Sequence, residues 1–119
     1  MVTLNEMSRL VEARVAFKGN SVFSSWVSPN LYVVYSYGTH FPMYVYDASA
    51  CVFGGFGNVI GKGAWLGNTD RYSVTTSKHQ GKTRPREVSK WLDTESLKNV
   101  LYEGGYTRHL IMRGEPLAA

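Results

Sequence analysis

Cysteine is the scarcest of the chemically reactive residues: the 119-residue chain contains one, Cys51. A single cysteine excludes an internal disulfide framework, and it excludes a zinc site built from paired cysteines of one chain. A lone thiol without an apolar leader is typical of a reducing compartment, so the sequence predicts a cytoplasmic protein.

Long apolar runs are also absent. No stretch of about 18 apolar residues occurs, and the longest weakly polar region, residues 31–59, is interrupted by glycines, Pro42 and Asp47. Glu6 and Arg9 lie where a signal peptide would be apolar. The sequence therefore predicts neither a membrane span nor a membrane partner.

Aromatic residues, by contrast, are abundant: three Trp, eight Tyr and five Phe are available for a core. The length fits one domain over residues 1–119, and neither an internal repeat nor a linker divides it. Strand and helix patterns follow one another along the chain. They predict an α+β domain whose twisted antiparallel sheet carries a short N-terminal helix and a C-terminal helix.

Local patterns place the first elements. Thr3 and Glu6 form a capping-box pattern ahead of a short helix. Alternation of apolar and polar residues, or runs of β-branched and aromatic ones, predicts the strands that follow. The strand at 31–37 is β-branched or aromatic nearly throughout, which predicts contacts on both of its faces. The predicted strands are 11–17, 21–27, 31–37 and 43–47.

Six glycines lie between residues 54 and 67. Because glycine at this density weakens a regular strand, the segment 51–66 is predicted to be a flexible hairpin or a mobile loop. A short helix is predicted next, capped by a hydroxyl residue of segment 75–77 and ended by Gly81 and Pro85.

The last third of the chain is predicted to be helical. Val88, Trp91 and Leu92 have helical spacing, and Asp93 or Thr94 then caps a further helix that stops at the glycine pair 104–105. A final strand is predicted at 106–112.

The net charge of +4 is concentrated in one segment. Residues 71–90 contain six basic residues and one acid, whereas the remainder of the chain contains seven basic residues and eight acids. Cations beside hydroxyl and aromatic groups suit phosphate and base contacts, although such a stretch also serves simply as a solvated surface. The candidate binding residues are Arg71, Lys78, Lys82, Arg84, Arg86 and Lys90.

Catalytic motifs are weak. The lone cysteine and the three histidines have no spacing that joins them as a nucleophile and base or as metal ligands. Gly61-Lys62 lacks the Ser or Thr of a phosphate-binding loop. The run at 72–77 loosely resembles an ADP-ribosyltransferase strand motif, but the downstream Glu-x-Glu is missing. We therefore predict no catalytic residue, no metal and no cofactor.

Two segments, YSYGTHFP at 35–42 and YSVTTSKHQ at 72–80, resemble the signature of small uncharacterised bacteriophage proteins. The resemblance covers roughly residues 31–80. It implies a viral origin, the cytoplasm of a bacterial host, and a role in host takeover or counter-defence.

The polar ends of these two segments are predicted to meet at one edge of the sheet. There they would form a shared polar pocket, or they would bond one another to hold the turn and cap the helix. The candidate pocket residues are Thr39, His40, Tyr72, Thr75, Thr76 and His79.

Three functions are open on this basis. The first is a phage-type protein that inhibits by binding a host macromolecule, with a host protein as the leading partner. The second is a nucleic-acid-binding protein that uses segment 71–90. The third is a small enzyme built on the His/Thr polar pocket. The sequence leaves the target and the oligomeric state open.

Overall fold

The structure, a computed structural model, describes residues 3–19, 21–39, 41–53, 59–71, 74–103 and 111–112. Within these ranges it has three helices and seven strands in one α+β unit, as the sequence predicts. The helices are α1 (Leu4–Glu12), α2 (Val74–Thr83) and α3 (Thr94–Glu103). The strands are β1 (Phe17–Lys18), β2 (Val22–Ser28), β3 (Leu31–Ser36), β4 (Pro42–Phe53), β5 (Val59–Asn68), β6 (Lys90–Leu92) and β7 (Ile111–Met112).

The sheet is an antiparallel meander with a parallel addition at one end. Strands β1 to β5 pair in chain order, each antiparallel to the one before. Strand β6 then joins β5 in parallel, with Leu66 opposite Lys90, after the chain has crossed through α2. Strand β7 pairs in parallel with the far end of β4. The parallel pair makes β6 the last strand on this side of the sheet.

Two hydrophobic clusters bury the two faces of the sheet. Side chains of β3 alternate between them, and every residue of β3 is buried, which confirms the prediction of contacts on both faces. Met7 and Val11 bring α1 to the first face, where α1 also packs against α2. Leu97 and Val100 bring α3 to the second face. The molecule is therefore layered, with α1 and α2 on one side of the sheet and α3 on the other.

Helix α1 begins as predicted and runs further than predicted. The Thr3 and Glu6 side chains make both bonds of the capping box. The predicted strand at 11–17 is wrong, because Val11 continues the helical apolar stripe and is fully buried. Of that segment only Phe17 pairs with β2, together with the next residue, Lys18. The alternation of apolar and polar residues over 11–17 is compatible with a strand, and it is equally compatible with the end of a helix followed by an extended segment. The pattern alone therefore does not distinguish the two structures.

Arg14 ends α1 in a conformation that usually belongs to glycine. Its φ is +55°, its N–H donates to the carbonyl of Val11, and the N–H of Val15 donates to the carbonyl of Leu10. This pair of bonds is a Schellman motif with arginine in the left-handed position. A side chain there costs about 1–2 kcal/mol relative to an ordinary conformation.

Two other predictions concern the later strands. Of the two alternatives for segment 51–66, the hairpin agrees with the structure, because residues 51–53 and 59–66 are paired strand, with Cys51 opposite Lys62; residues 54–58 lie outside the described residues. Residues 90–92 are strand β6 rather than helix, because their backbone finds the open edge of β5. The helix α3, with Asp93 at its start, agrees with the prediction, as does strand β7 as far as residues 111–112 describe it.

Candidate nucleic-acid interface

The predicted polar pocket is built around a buried histidine. His79 lies on α2, is 7% exposed, and its Nδ1 shares a 2.9 Å hydrogen bond with Oγ of Ser36 on β3. The ring of Tyr37 lies 5.4 Å from the imidazole. Burial, and secondarily the charge of Lys78, lowers the pKa of His79. The residues that the structure brings to His79 are thus Ser36 and Tyr37, which the sequence analysis did not single out.

Among the other predicted pocket residues, the structure describes the side chain of Thr39 alone. Thr39 is exposed in the turn after β3. Thr75 and Thr76 lie in the first turns of α2, with side chains outside the described part of the chain, and His40 and Tyr72 lie outside it altogether. Since Ser36 is 1% exposed, its bond to His79 joins two groups closed to substrate. This bond fixes α2 to the sheet.

The cations of the basic segment are placed very differently, because five of the six are exposed. Lys78 and Lys82 lie one turn apart on α2, which puts them on one helix face. Lys90, in β6, is only partly exposed and has an interaction partner. We call the five exposed cations the basic surface: Arg71, Lys78, Lys82, Arg84 and Arg86.

Arg71 and Arg84 converge although they flank α2 on opposite sides in sequence. Burial raises the pKa of the Tyr44 hydroxyl to about 12, and the positive charges of Arg71 and Arg84 each oppose this rise by favouring the ionised hydroxyl. That hydroxyl donates a 2.7 Å bond to the carbonyl of Gln80 on α2. The connections before and after α2 therefore bring their arginines near the same hydroxyl.

Trp91 is the aromatic member of this region. Its indole is 38% exposed and lies directly on the backbone of β5, where a Cβ on Gly67 would come within 2.5 Å of it. The guanidinium Cζ of Arg84 lies 5.2 Å from the ring centroid on the indole face. Cation–π contact and the absence of a side chain at Gly67 hold a partly exposed indole among cations.

A buried polar network fixes the polypeptide that carries the basic surface. Gln80 is fully buried, and its Nε2 donates to the carbonyls of Asn68 and Asp70 at 3.1 and 3.2 Å. Nδ2 of Asn68 donates to the carbonyl of Pro42 at 2.7 Å and to Oγ1 of Thr94 at 3.0 Å. Neither amide was predicted to be buried, because only the tertiary fold shows which polar residues face inward.

An acidic hollow of about 520 Å³ lies where α3 begins. Two of its carboxylates already have partners: Asp70 accepts from the Thr94 N–H at 2.9 Å, and Asp93 accepts from the Ser96 N–H at 2.7 Å. The hydrogen bond from the Ser96 N–H lowers the pKa of Asp93. These groups cap the helix. Among the described residues no cluster of three metal-ligating side chains occurs.

A second groove, of about 550 Å³, lies beside the basic surface. It opens on the face of β5 opposite to α3, the helix that begins at the acidic hollow. Arg86 belongs to the groove and to the basic surface, and the groove is also lined by Arg14, which follows the end of α1, and by Tyr46 of β4. No local pattern in the sequence predicts this groove, because separate parts of the chain supply its walls. We call it the Arg14 groove; its lining residues are Glu12, Arg14, Tyr46, Gly63, Ala64, Trp65, Arg86, Glu87 and Ser89.

Of the helices described, none has the length and apolar character needed to cross a membrane. In comparisons with known proteins, no family model, no curated protein and no solved structure matches this chain.

Proposed function

We propose that this protein acts by binding a nucleic acid through the basic surface, without catalysing a reaction. The observation that carries the proposal is the exposed grouping of five cations around α2 with the indole of Trp91 held beside them. Lys and Arg bind backbone phosphates, and an exposed aromatic ring stacks on bases. The combination suits a nucleic acid better than it suits a simple solvated face.

The rigidity of the surface supports the same proposal. The network through Gln80 and Asn68 fixes α2 and the strand end before it, and Gly67 seats Trp91. Side chains presented from a fixed scaffold lose less conformational freedom on binding than side chains on a mobile loop. The burial of the Ser36–His79 pair gives the alternative, an enzyme, no accessible reactive group at that position.

The resemblance of segments 35–42 and 72–80 to bacteriophage proteins supplies the setting of the proposal. In a bacterial cytoplasm, a phage protein that binds nucleic acid would act in host takeover or counter-defence by occupying a site on DNA or RNA. Such inhibition by occupation needs a fixed surface and no catalytic group.

The test is binding of labelled DNA and RNA, single-stranded and duplex, measured by fluorescence anisotropy at about 50 mM and about 200 mM salt. If all five cations contact phosphates, the affinity of the parent chain falls about a hundredfold or more over this range of salt. The variant Lys82→Ala/Arg84→Ala/Arg86→Ala binds more weakly at low salt, and its affinity falls only about tenfold over the same range. Lys98→Ala is the matched control, because Lys98 is exposed on α3 across the sheet. Absence of binding to every nucleic acid at low salt would refute the proposal.

A host protein is the second candidate partner, and a separate surface favours it. Val15 and Trp26 are 46% and 43% exposed, and they adjoin because the Trp26 indole donates a 3.0 Å bond to the carbonyl of Arg14. An exposed tryptophan beside an apolar side chain is a typical anchor of protein interfaces. If this partner is correct, nuclease-treated host lysate yields one protein whose retention is lost with Val15→Ser and unaffected by the triple basic variant.

A further inference from the structure

The Arg14 groove has no role in the phosphate contacts proposed above, yet it is continuous with them. Arg86 lines the groove and belongs to the basic surface. The backbone N–H of Arg86 donates a hydrogen bond to the Glu12 carboxylate, which ties the loop after α2 to the end of α1. A strand of nucleic acid whose phosphates lie on the basic surface therefore passes the mouth of this groove.

The side chain of Arg14 is set in place by an unusual backbone. Arginine occupies the left-handed position where glycine is the common residue, so the chain accepts strain at this residue. The Cζ of Arg14 lies 4.4 Å from the ring centroid of Tyr46, and the side chain also lines the groove. A guanidinium stacked on a phenol ring is a flat, positively charged platform of the kind on which nucleobases stack.

Tyr46 reaches its position only because residue 63 is glycine. A Cβ on Gly63 would lie 2.0 Å from the tyrosine hydroxyl oxygen, and the φ of +95° at Gly63 is itself unsuited to a side chain. The ring of Trp65 braces Tyr46 from within the sheet, with centroids 5.2 Å apart. The aromatic floor of the groove is thus formed before any ligand arrives.

The rim of the groove supplies hydrogen-bonding groups as well as charge. Glu12 brings a carboxylate whose Oε1 already accepts from the Arg86 N–H, and Ser89, whose N–H donates 2.8 Å to the carbonyl of Trp65, brings a hydroxyl. Carboxylates accept from the amino and imino N–H groups of bases, and arginine donates to base carbonyls and ring nitrogens. The volume falls within the range of about 300–1,000 Å³ that small-molecule sites have.

We propose that the Arg14 groove receives one unpaired nucleobase, so that the protein prefers single-stranded nucleic acid to duplex. The inference rests on the nucleic-acid binding proposed above and deepens it. A base within a duplex is stacked and paired, and bringing it into a groove costs the energy of extruding it. A single strand presents its bases without that cost.

The test uses Arg14→Gly, because glycine suits the left-handed backbone and the variant should fold at least as readily as the parent. Affinities are measured by fluorescence anisotropy for a labelled single strand and for the duplex of the same sequence at one low salt concentration. The parent chain is expected to prefer the single strand by about tenfold, in line with one base stacked on the protein. Arg14→Gly is expected to reduce this preference severalfold, to the part that stacking on Trp91 supplies.

Two further variants separate stacking from charge. Arg14→Lys keeps the charge and the backbone strain but lacks the planar group, so it should lose most of the single-strand preference. Arg9→Ala removes an exposed charge of α1 that does not line the groove, and it should keep the preference.

The outcomes distinguish the two proposals. Equal affinity of the parent chain for both forms, or an unchanged preference in Arg14→Gly, would overturn the groove inference and leave the basic surface standing. Absence of binding to either form would overturn both.

Discussion

The imidazole of His79 is neutral in the folded protein at neutral pH because burial and the adjacent Lys78 oppose its protonation. Its pKa is lowered on folding, so the unfolded chain binds a proton at a higher pH than the folded chain does. The stability that depends on neutral His79 is therefore complete above about pH 6.5 and is lost as the pH falls from there through the lowered pKa.

We therefore expect the melting temperature of the parent chain to fall between about pH 7.5 and about pH 5.5. Asn at residue 79 can retain a polar group where Nδ1 bonds Ser36, but it does not titrate. The melting temperature of His79→Asn should consequently change less over the same range. An equal decline in both proteins, measured by circular dichroism, would assign the pH dependence to other groups.

Single residues also show what sequence patterns leave undetermined. The charge of segment 71–90 was visible in the sequence, and its exposure followed the ordinary behaviour of Lys and Arg. The position of Arg14 over Tyr46 was not visible, because it depends on a helix end, a distant strand and the glycine at residue 63. No local spacing encodes a contact between residues 32 positions apart.

Among the elements, α2 is the one that carries the basic surface and the one with the weakest local support. It contains Gly81, which is exposed, and a Cβ at that residue would meet nothing within 4 Å. Glycine inside a helix loses more conformational entropy on folding than alanine does. The helix forms because Gln80 and His79 attach it to the sheet.

Gly81→Ala should therefore raise the free energy of unfolding by about 0.5–1 kcal/mol, as measured by urea denaturation. Gly67→Ala is the contrasting variant, since its Cβ would collide with the Trp91 indole, and it should be destabilising. A loss of stability in Gly81→Ala would contradict the packing described for α2.

Elements with strong local signals were predicted well, and those that depend on a partner strand were not. The capping box of Thr3 and Glu6 began α1, and the β-branched and aromatic run of β3 identified the central strand. Residues 90–92 became strand β6 only because β5 offered them an edge. The glycine-rich strand β5 has β4 as its partner and uses Gly63 and Gly67 to admit two large aromatic rings.

For the molecule as a whole, Asn68 is the point where its layers are joined. Its side chain bonds the carbonyl of Pro42 on β4 and the hydroxyl of Thr94 on α3, and its Oδ1 accepts from the Asp70 N–H. Its own carbonyl accepts from Gln80 on α2. Removing the side chain leaves several buried polar groups without partners, which costs more than the bonds themselves contribute.

Asn68→Ala should lower the free energy of unfolding by about 2–4 kcal/mol. The matched control is Asn99→Ala, because Asn99 is exposed on α3 and should change stability by about 0.5 kcal/mol or less. Equilibrium urea denaturation measures both. Equal effects of the two substitutions would show that the Asn68 network adds little.

The short strands at the ends of the sheet affect how copies of the chain meet. Along the path from β1 to β6, the terminal strands contain two and three residues. Past β1, the edge of β2 faces the segment around Arg14 and Val15, whose carbonyls accept bonds from Trp26 and Ser24. An edge strand of two or three residues offers few backbone groups to a strand from a neighbouring molecule, and short edge strands are one of the ways in which proteins limit such pairing. This arrangement opposes edge-to-edge aggregation even though the sheet is open and rich in β-branched and aromatic residues.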